Sequence, residues 1–390
     1  MSRLQQQAIV IGDSFNNTLG LIRSLGEAKV DIVLLLVGDD RLFVSKSRYL
    51  KKSQIFQMET IDDCLPTLLR IADKTKQQTI ICTNDIATQY IDEYETTLCS
   101  LYITPMKGRH LGNLLNKDEQ CRLAENCGLT IPQSIIYNRN EDFPTVSYPI
   151  LMKPANSNTG EKSDIHICYC QKDVNKALSA TSTCNQFIIQ KFIEKEYEIN
   201  LIGVSTVNGV YIPGGIRKIR HYPTIYSPCS FGVFQSVENL NVDVHSILKL
   251  MQHVGYHGPF SVELLHKNAK NYFMEVNFRH DGLAYAATAS GVNLPAMLFN
   301  SQTVPMTVNN TYMMDLSTDY CHVKDGTLSR KYWFYDFRKT KCQLNFNRHD
   351  LMPTIYYYVN KIMKHITTVQ RNYPIGSVDL NRNHSSDVLV

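Results

Sequence analysis

The stretch FMEVNFR, at residues 273–279, mixes large apolar and polar side chains in a way that suits a β-strand. Side chains two positions apart share one face of a strand, so Glu275, Asn277 and Arg279 become neighbours. A second acid, Glu263, lies in the apolar run before it, and the polar segment between the two runs predicts a hairpin. Carboxylate and amide oxygens suit Mg²⁺, and the forked Arg guanidinium suits a phosphate. The sequence therefore predicts a strand pair that binds Mg²⁺ and a nucleoside triphosphate.

A solvated sheet edge is the ordinary place for a lone glutamate in a strand, because Glu is seldom fully buried. Here three polar groups alternate with apolar ones, and a second acid lies in the neighbouring run. Clusters of this kind are uncommon in protein cores. The site is therefore favoured over the solvated edge.

Composition places the chain among globular proteins of two or three domains, with 390 residues, 43% hydrophobic and 19% charged. A net charge of +4 is too mild to indicate nucleic acid. No apolar run reaches the length of about 18 residues that a membrane span needs. The short apolar run near the N-terminus predicts a first strand and not a signal peptide. We expect neither nucleic acid nor membrane as a partner.

Eleven cysteines are scattered without CxxC spacing, several of them inside apolar runs. This usage predicts reduced core residues of a cytoplasmic protein. The histidines show no HExxH pattern, so zinc is not indicated.

The first hundred residues alternate apolar strands with amphipathic helices, which predicts an α/β domain with a parallel sheet. The turn after the first strand lacks GxGxxG, so a Rossmann dinucleotide site is rejected. Asn116 can cap a helix that begins at Lys117 and ends before Gly128. Short strands dominate from about residue 133 to 277, and the chain becomes polar from about residue 371.

Two further segments favour nucleotide binding. One apolar strand ends at Lys153 and is followed by a small, polar loop that contains Lys162, where backbone N–H groups and an ammonium can approach phosphates. Another strand carries Gln190 and is followed by Glu196 and Glu198, which suits a flat base and ribose hydroxyls. A surface turn and a solvated hairpin end are the alternative readings.

The segment Gly214–His221 concentrates positive charge next to a bend-prone stretch. Alternation would put Lys218 and Arg220 on one face of an extended chain and Arg217 on the other. An Arg fork could orient a substrate carboxylate, so Arg217 and Arg220 are equal candidates for that role. A solvated basic hairpin is the alternative.

In this order, the segments resemble the ATP-grasp superfamily over nearly all of residues 1–300. The branch they look most like is the carbamoyl-phosphate-synthase-like one, which includes carboxylate–amine ligases such as amino-acid and D-aspartate ligases. The resemblance implies an ATP-grasp fold with three parts: a Rossmann-like pre-ATP-grasp domain at 1–112, an ATP-grasp domain at 113–310 with a lid at about 130–193 and a larger catalytic subdomain at about 194–310, and a C-terminal extension at 311–390.

The resemblance also implies roles for single residues. Arg279 would grip the transferred phosphate. The implied ATP contacts are Lys117, Lys153, Lys162, Gln190, Phe192, Ile193 and Glu196, with Glu198 competing for the ribose. The implied ligands of two Mg²⁺ (or Mn²⁺) ions are Glu263, Glu275 and Asn277. Gln190 departs from the family's usual Glu. Phe278 and His280–Gly282 also depart from the family's usual pattern, and these departures leave the nature of the acceptor pocket undetermined.

The implied activity is that of an ATP-dependent ligase. It would activate a small-molecule carboxylate, for example an amino acid, as an acyl phosphate and join it to an amine, releasing ADP and phosphate. A carboxylase or other carboxylate-activating enzyme of the same superfamily is one alternative, and an inactive nucleotide-binding protein is another. A homodimer is the general default for the oligomer.

Overall fold

The computed structural model of the chain describes residues 5–38, 43–155, 165–181, 184–299 and 308–372. Lys162, with most of its loop, and the polar tail from residue 373 lie outside the described residues.

The strands that the structure describes are β1 (Gln5–Gly12), β2 (Asp31–Val37), β3 (Ile55–Met58), β4 (Lys76–Cys82), β5 (Ser134–Asn138), β6 (Ile150–Pro154), β7 (His166–Cys168), β8 (Gln186–Lys191), β9 (Tyr197–Thr206), β10 (Gly209–His221), β11 (Cys229–Ser236), β12 (Gly258–Lys267), β13 (Lys270–Asn277), β14 (Thr311–Met314) and β15 (Thr340–Gln343). The α-helices are α1 (Asn16–Glu27), α2 (Cys64–Ile71), α3 (Asp85–Glu93), α4 (Glu95–Leu98), α5 (Lys117–Asn126), α6 (Gln171–Ala180), α7 (Val237–Leu240), α8 (Val244–Val254), α9 (Tyr285–Ala289), α10 (Leu316–Asp319), α11 (Cys321–Lys324), α12 (Arg330–Lys339) and α13 (Leu351–Asn372).

The first sheet is parallel, with the order β3-β2-β1-β4. Its central strands are apolar on both faces because helices cover both sides. Leu19 and Ile22 of α1 pack on one side, and Leu68 of α2 and Ile91 of α3 pack on the other. The predicted α/β domain with a parallel sheet is confirmed.

The second sheet is small and antiparallel, with the order β5-β8-β6-β7. One face carries Met152, Phe187 and Ile189, which pack with Val174 and Ala177 of α6. The other face of this lid sheet is free to contribute polar side chains to a cleft.

The third sheet has seven strands in the order β13-β12-β9-β10-β11-β14-β15, with β14 and β15 parallel and the other pairs antiparallel. Helices α5 and α8 pack on one face through the core that includes Phe260, Leu264 and Phe273. Helix α9 packs on the other face beside Ile202 and Ile216. The expected mixed sheet is thus present, and the last two strands extend it at one edge.

Within the described residues no helix combines the length and apolarity that crossing a membrane would require. The cysteines, all of them in the described ranges, form no disulfide bond.

Candidate functional site

A β-bulge creates the acid pair at the centre of the site. Glu275 lies directly opposite Glu263, but the next pair along the hairpin is Leu264 with Phe273. Met274 is therefore the extra residue, and the bulge turns Phe273 into the hydrophobic core while Glu275 stays on the opposite face. Strict alternation would have put Phe273 and Glu275 on the same face.

The two acids have divergent pKa values. Burial favours the neutral form of Glu275, but Lys117, Lys153 and Arg279 outweigh it and lower the pKa of this carboxyl to about 2. The Lys218 ammonium lowers the pKa of Glu263, but burial and the negative charge of Glu275 outweigh it and leave that pKa raised. A cation bound beside Glu263 would therefore stabilise the ionised form of this carboxyl.

Two lysines from different parts of the fold converge on Glu275. Asn116 caps α5, its side chain accepting the Asp118 N–H at 2.9 Å, and this fixes Lys117 as the first helical residue. The Lys117 ammonium lies 2.7 Å from a Glu275 oxygen, which raises the lysine pKa. Lys153, at the end of β6, is 6% exposed.

Lys153 is a buried cation with little local compensation. Burial lowers the pKa of its ammonium, and the positive charge of Lys117 lowers it further. Among the described residues no carboxylate forms an ion pair with it. An anionic ligand would stabilise the charged form of this lysine.

Lys218 of β10 forms ion pairs with acids on two other strands. Its ammonium lies 2.9 Å from Glu198 and 3.4 Å from Glu263, and Glu198 also pairs with Lys195. Burial opposes the charge of Lys218, but Glu263 and Glu198 outweigh it and raise the pKa. Lys218 is therefore the cation of the basic segment that faces the acid pair.

The expectation that Lys218 and Arg220 share a face is wrong, because β10 contains a second bulge. Lys218 lies opposite Gly232, and Arg220 lies opposite the next residue of β11, Phe231. Ile219 is thus the extra residue, and Arg220 is turned to the face opposite the acids.

Neither arginine of the basic segment lies beside the acid pair. Arg220 makes a two-pronged pair with Asp319, contacts Asp336 and stacks over Phe231 at 4.2 Å. Arg217 is exposed on that same opposite face, with its guanidinium 4.2 Å from the centre of the Tyr197 ring. Neither arginine is therefore placed to orient a carboxylate next to Glu263, and Lys218 is the cation of this segment that lies beside that acid.

Arg279 is held at the junction between the large sheet and the first domain. Its guanidinium donates to Asp85 at 2.7 Å and to the Asn277 side-chain oxygen at 3.1 Å, and Asp281 is 3.7 Å away. Burial opposes the charge of Arg279, but Asp85 and Asp281 raise its pKa. Asp85 begins α3, directly beyond the carboxyl end of β4, where ligands bind in open α/β sheets.

Two asparagines share the face of the acids. Asn277 donates from its side chain to Ser261 at 3.3 Å. Asn200 lies opposite Glu263 on β9, is 1% exposed, and its side-chain oxygen accepts no hydrogen bond from a described residue. An acceptor left alone in the interior is costly, so a cation or donor at the acid pair would stabilise this oxygen.

Gln190 lies on the cleft face of the lid sheet. The register pairs Ile188 with Lys153 and Gln190 with Leu151, so Gln190 and Lys153 share the face opposite the lid core. Beyond β8 a cavity of about 630 Å³ is lined by the following residues: Ile131, Pro132, Gln133, Pro149, Tyr169, Lys191, Phe192, Ile193, Glu194, Lys267, Asn268 and Tyr272.

The two glutamates expected to compete for a ribose lie in different surroundings. Glu196 is exposed and accepts the backbone N–H of Asn268 at 3.1 Å. Glu198 is engaged by Lys195 and Lys218. Glu196 therefore has the accessible carboxylate next to the cavity.

Within the described part of the chain no group of three or more His, Cys, Asp or Glu side chains forms a metal cluster. The donor set at the acid pair is two carboxylates with amide oxygens from Asn277 and Asn200, all hard oxygen ligands of the kind that Mg²⁺ takes.

Sequence reasoning had not assigned Lys218, Asn200 or Asp85 to the site. Lys218 belongs to the basic run, and the pairing of its strand with the strand of Glu198 distinguishes it from the two arginines. Asp85 and Asn200 carried no local signal, because only the packing of distant strands brings them to the acids.

Comparisons with known proteins give partial matches in sequence and broader matches in fold. No family model matches the chain. It is 30% identical over 144 residues to a formate-dependent phosphoribosylglycinamide formyltransferase from Shewanella amazonensis, and 23% identical over 190 residues to the carbamoyl phosphate synthase large chain of Saccharolobus solfataricus. These matches cover 34% and 46% of this chain, and 35% and 18% of the two relatives.

Solved structures match over most of the chain. The L-amino acid ligase from Bacillus licheniformis matches with a TM-score of 0.57 and 14% identity, over 76% of this chain and 74% of that one. The N5-carboxyaminoimidazole synthetase from Staphylococcus aureus, complexed with ADP, matches with a TM-score of 0.64 and 15% identity, over 83% and 86%. At these identities the likeness shows that the chain shares their fold.

Proposed function

We propose that this chain, which belongs to the ATP-grasp superfamily, is an ATP-dependent ligase that joins a carboxylate to an amine. The observation that carries the proposal is the convergence of Lys117 and Lys153, from a helix and from the lid, on the Glu263–Glu275 pair. Two cations beside two acids form a phosphate site next to an oxygen-donor site, which is the arrangement that phosphoryl transfer needs.

A magnesium ion fits the residues of the acid pair. Glu263 has a raised pKa because burial and the negative charge of Glu275 outweigh the Lys218 ammonium, and the buried Asn200 oxygen accepts no hydrogen bond from a described residue. Glu263, Glu275 and Asn277 would hold the ion, with Asn200 close by. When bound, the ion would neutralise charge on the β- and γ-phosphates.

The chain's own cations would hold the nucleotide. Lys117 and Lys153 bind phosphate oxygens, and Arg279 contacts the transferred phosphate. The base occupies the cavity beside Phe192 and Ile193, with Gln190 on the same lid face as Lys153. The Glu196 carboxylate accepts hydrogen bonds from the ribose hydroxyls.

The reaction follows from the leaving groups. A carboxylate cannot lose oxide, so its oxygen attacks the γ-phosphorus and ADP leaves, forming an acyl phosphate. An amine then attacks the acyl carbon, phosphate leaves and an amide forms. Lys218 orients the carboxylate beside Glu263, and closure of the lid sheet over the cleft excludes water from the acyl phosphate.

A phosphate-release screen with Mg-ATP and pairs of amino acids tests the proposal, with bicarbonate as a separate donor. We expect ADP as the nucleotide product, and a hydroxamate when hydroxylamine replaces the amine. Glu275→Gln should keep the fold and strongly reduce turnover, because the amide keeps the shape of the carboxylate and loses its charge. Formation of AMP and pyrophosphate would contradict the proposal, and turnover with bicarbonate alone would favour the carboxylase alternative.

A further inference from the structure

Glu198 lies between two ammonium groups. It faces Lys218 across the paired strands β9 and β10, and one of its oxygens lies 2.9 Å from the Lys218 ammonium. Its other oxygen accepts a hydrogen bond from the Lys195 ammonium. The side chains are largely shielded from water, with exposed fractions of 15% for Glu198, 9% for Lys218 and 10% for Lys195. Both oxygens of Glu198 are therefore engaged by side chains of the protein itself.

These contacts belong to a row of alternating charge that ends at the acid pair. In order, the charge row consists of Lys195, Glu198, Lys218 and Glu263. A lysine ammonium has three N–H donors on a flexible stem, and two acids can fix its position while one donor remains for a substrate carboxylate. Because Glu263 is also a candidate ligand of the magnesium ion, Glu198 is the acid of the row that can hold Lys218 in both situations.

Lys195 connects the charge row to the loop between β10 and β11, residues 222–228. Its ammonium also donates to the Ile225 carbonyl at 2.6 Å and lies 5.1 Å from the centre of the Tyr226 ring. The Tyr226 ring lies edge-on to Phe192, which lines the cavity beyond β8, with the ring centres 6.2 Å apart. Lys195 is thus fixed by the loop as well as by Glu198.

Stability alone does not account for where the charge row lies. Rows of buried ion pairs can serve the fold only, but β10 is already fastened on its other face, where Arg220 pairs with Asp319 and Asp336. The charge row lies on the face of the acid pair, and its last lysine contacts Glu263. This placement favours a role at the site.

We propose that Glu198 and Lys195 are positioning residues: Glu198 holds the Lys218 ammonium where it orients the substrate carboxylate, and Lys195 holds Glu198. The inference rests on the proposed function, which gives Lys218 its role towards the carboxylate. It assigns Glu198 to the carboxylate site and leaves the ribose to Glu196. Both positioning residues act through Lys218 and not on the reacting atoms.

Glu198→Gln tests the contact with Lys218. The amide keeps the shape of the carboxylate, but it has one acceptor oxygen, and its NH₂ group would face one of the two ammonium groups. We expect the Michaelis constant of the carboxylate found by the phosphate-release screen to rise by about 10- to 100-fold, because a displaced Lys218 orients it poorly. The change in kcat should be smaller, and calorimetry should give the wild-type ATP affinity. Glu238→Gln, at an exposed position of α7, is the matched control and should keep the wild-type values.

Lys195 variants test the second contact and leave the pair of Glu198 with Lys218 in place. Lys195→Met should raise the same Michaelis constant by less than Glu198→Gln does. Lys195→Arg keeps the charge and should restore most of the loss. A row that serves only the fold predicts lower stability and an unchanged Michaelis constant in these variants, and that result would overturn the proposal.

The position of Lys218 gives a readout that needs no turnover. In crystal structures of Glu198→Gln and Lys195→Met, the Lys218 ammonium should move by about 1 Å or more from its wild-type place. An ammonium that stays in place in both variants overturns the proposal, and so does weaker ATP binding with an unchanged Michaelis constant, which would assign Glu198 to the ribose. Absence of turnover with every carboxylate would count against the ligase function, and the crystal structures would then decide the positioning role by themselves.

Discussion

At the scale of single residues, the site is marked by charges that the fold leaves incompletely balanced. Lys153 is buried with a lowered pKa, and Glu263 has a raised pKa beside Glu275. Burying the Lys153 ammonium is costly, because no described carboxylate forms an ion pair with it. A metal triphosphate supplies both missing charges, because it brings an anion to the lysine and a cation to the acid.

Lys153→Ala should weaken ATP binding by about 1–3 kcal/mol, the range for losing a hydrogen bond to a charged group. Calorimetry of the purified variant measures the change. Lys172→Ala, at an exposed position of α6 in the same lid, is the control and should bind ATP like the wild type. Equal affinity in Lys153→Ala and the control would move the phosphate site away from β6.

Glu275 should contribute to the acid stability of the protein. Its pKa in the folded chain is about 2, below the ordinary 4.5, so the ionised carboxylate favours the native state. The contribution is complete above about pH 4.5 and is lost as the pH falls towards 2. Urea unfolding across this range should therefore show a shallower decline for Glu275→Gln than for the wild type. Glu125→Gln, at an exposed position of α5, should follow the wild-type curve.

At the scale of secondary-structure elements, two β-bulges decide which side chains meet. The bulge at Met274 keeps Glu275 opposite Glu263 while Phe273 enters the core. The bulge at Ile219 leaves Lys218 with the acids and turns Arg220 away from them. One extra residue reverses the face of every later side chain in a strand, so a bulge changes chemistry without changing composition.

Arg220→Ala should therefore act on stability and not on substrate affinity. Asp319 has a fully buried side chain, and removing its Arg220 partner leaves an uncompensated charge, which costs about 3–5 kcal/mol. Urea denaturation measures the loss. Arg217→Ala, on the same face but exposed, should change the unfolding free energy by under about 0.5 kcal/mol. If Arg220→Ala unfolded like the wild type and raised only the Michaelis constant of the carboxylate, the side chain would belong to the substrate site.

At the scale of the whole molecule, polar contacts tie the first domain to the rest of the chain. Arg279 reaches Asp85 at the end of the parallel sheet. Arg23 of α1 pairs with Asp350, just before α13, at 3.1 Å, with both side chains fully buried. Asp350 also accepts the Ser47 hydroxyl at 3.0 Å and the Arg48 N–H at 2.9 Å. One carboxylate of the C-terminal extension thus receives contacts from three residues of the first domain.

Asp350→Ala should lower the unfolding free energy by about 3–5 kcal/mol, because Arg23 would remain buried without its partner. Loss of this contact should also separate unfolding of α13 from that of the remainder, giving a broader transition. Thermal unfolding followed by circular dichroism detects both effects. Asp325→Ala, in an exposed turn, is the control, and equal transitions in the two variants would contradict this role for Asp350.

Much of the architecture was predictable because it depends on local pattern. Apolar runs alternating with amphipathic helices predicted the parallel sheet, and Asn116 predicted the start of α5 at Lys117. The spacing of Glu275 and Asn277, with Glu263 before them, predicted an acid face on a hairpin. These features rest on periodicity and capping, which neighbouring residues determine without help from the rest of the fold.

Only the tertiary structure decided which cation faces the acids. Lys218 and Arg220 look equivalent along the chain, and the difference between them is the register of β10 against β11, which the partner strand imposes. Asp85 and Asn200 reach the site through contacts between segments far apart in sequence. Local periodicity carries no information about strand register or domain packing, because both follow from the burial of side chains that belong to other elements.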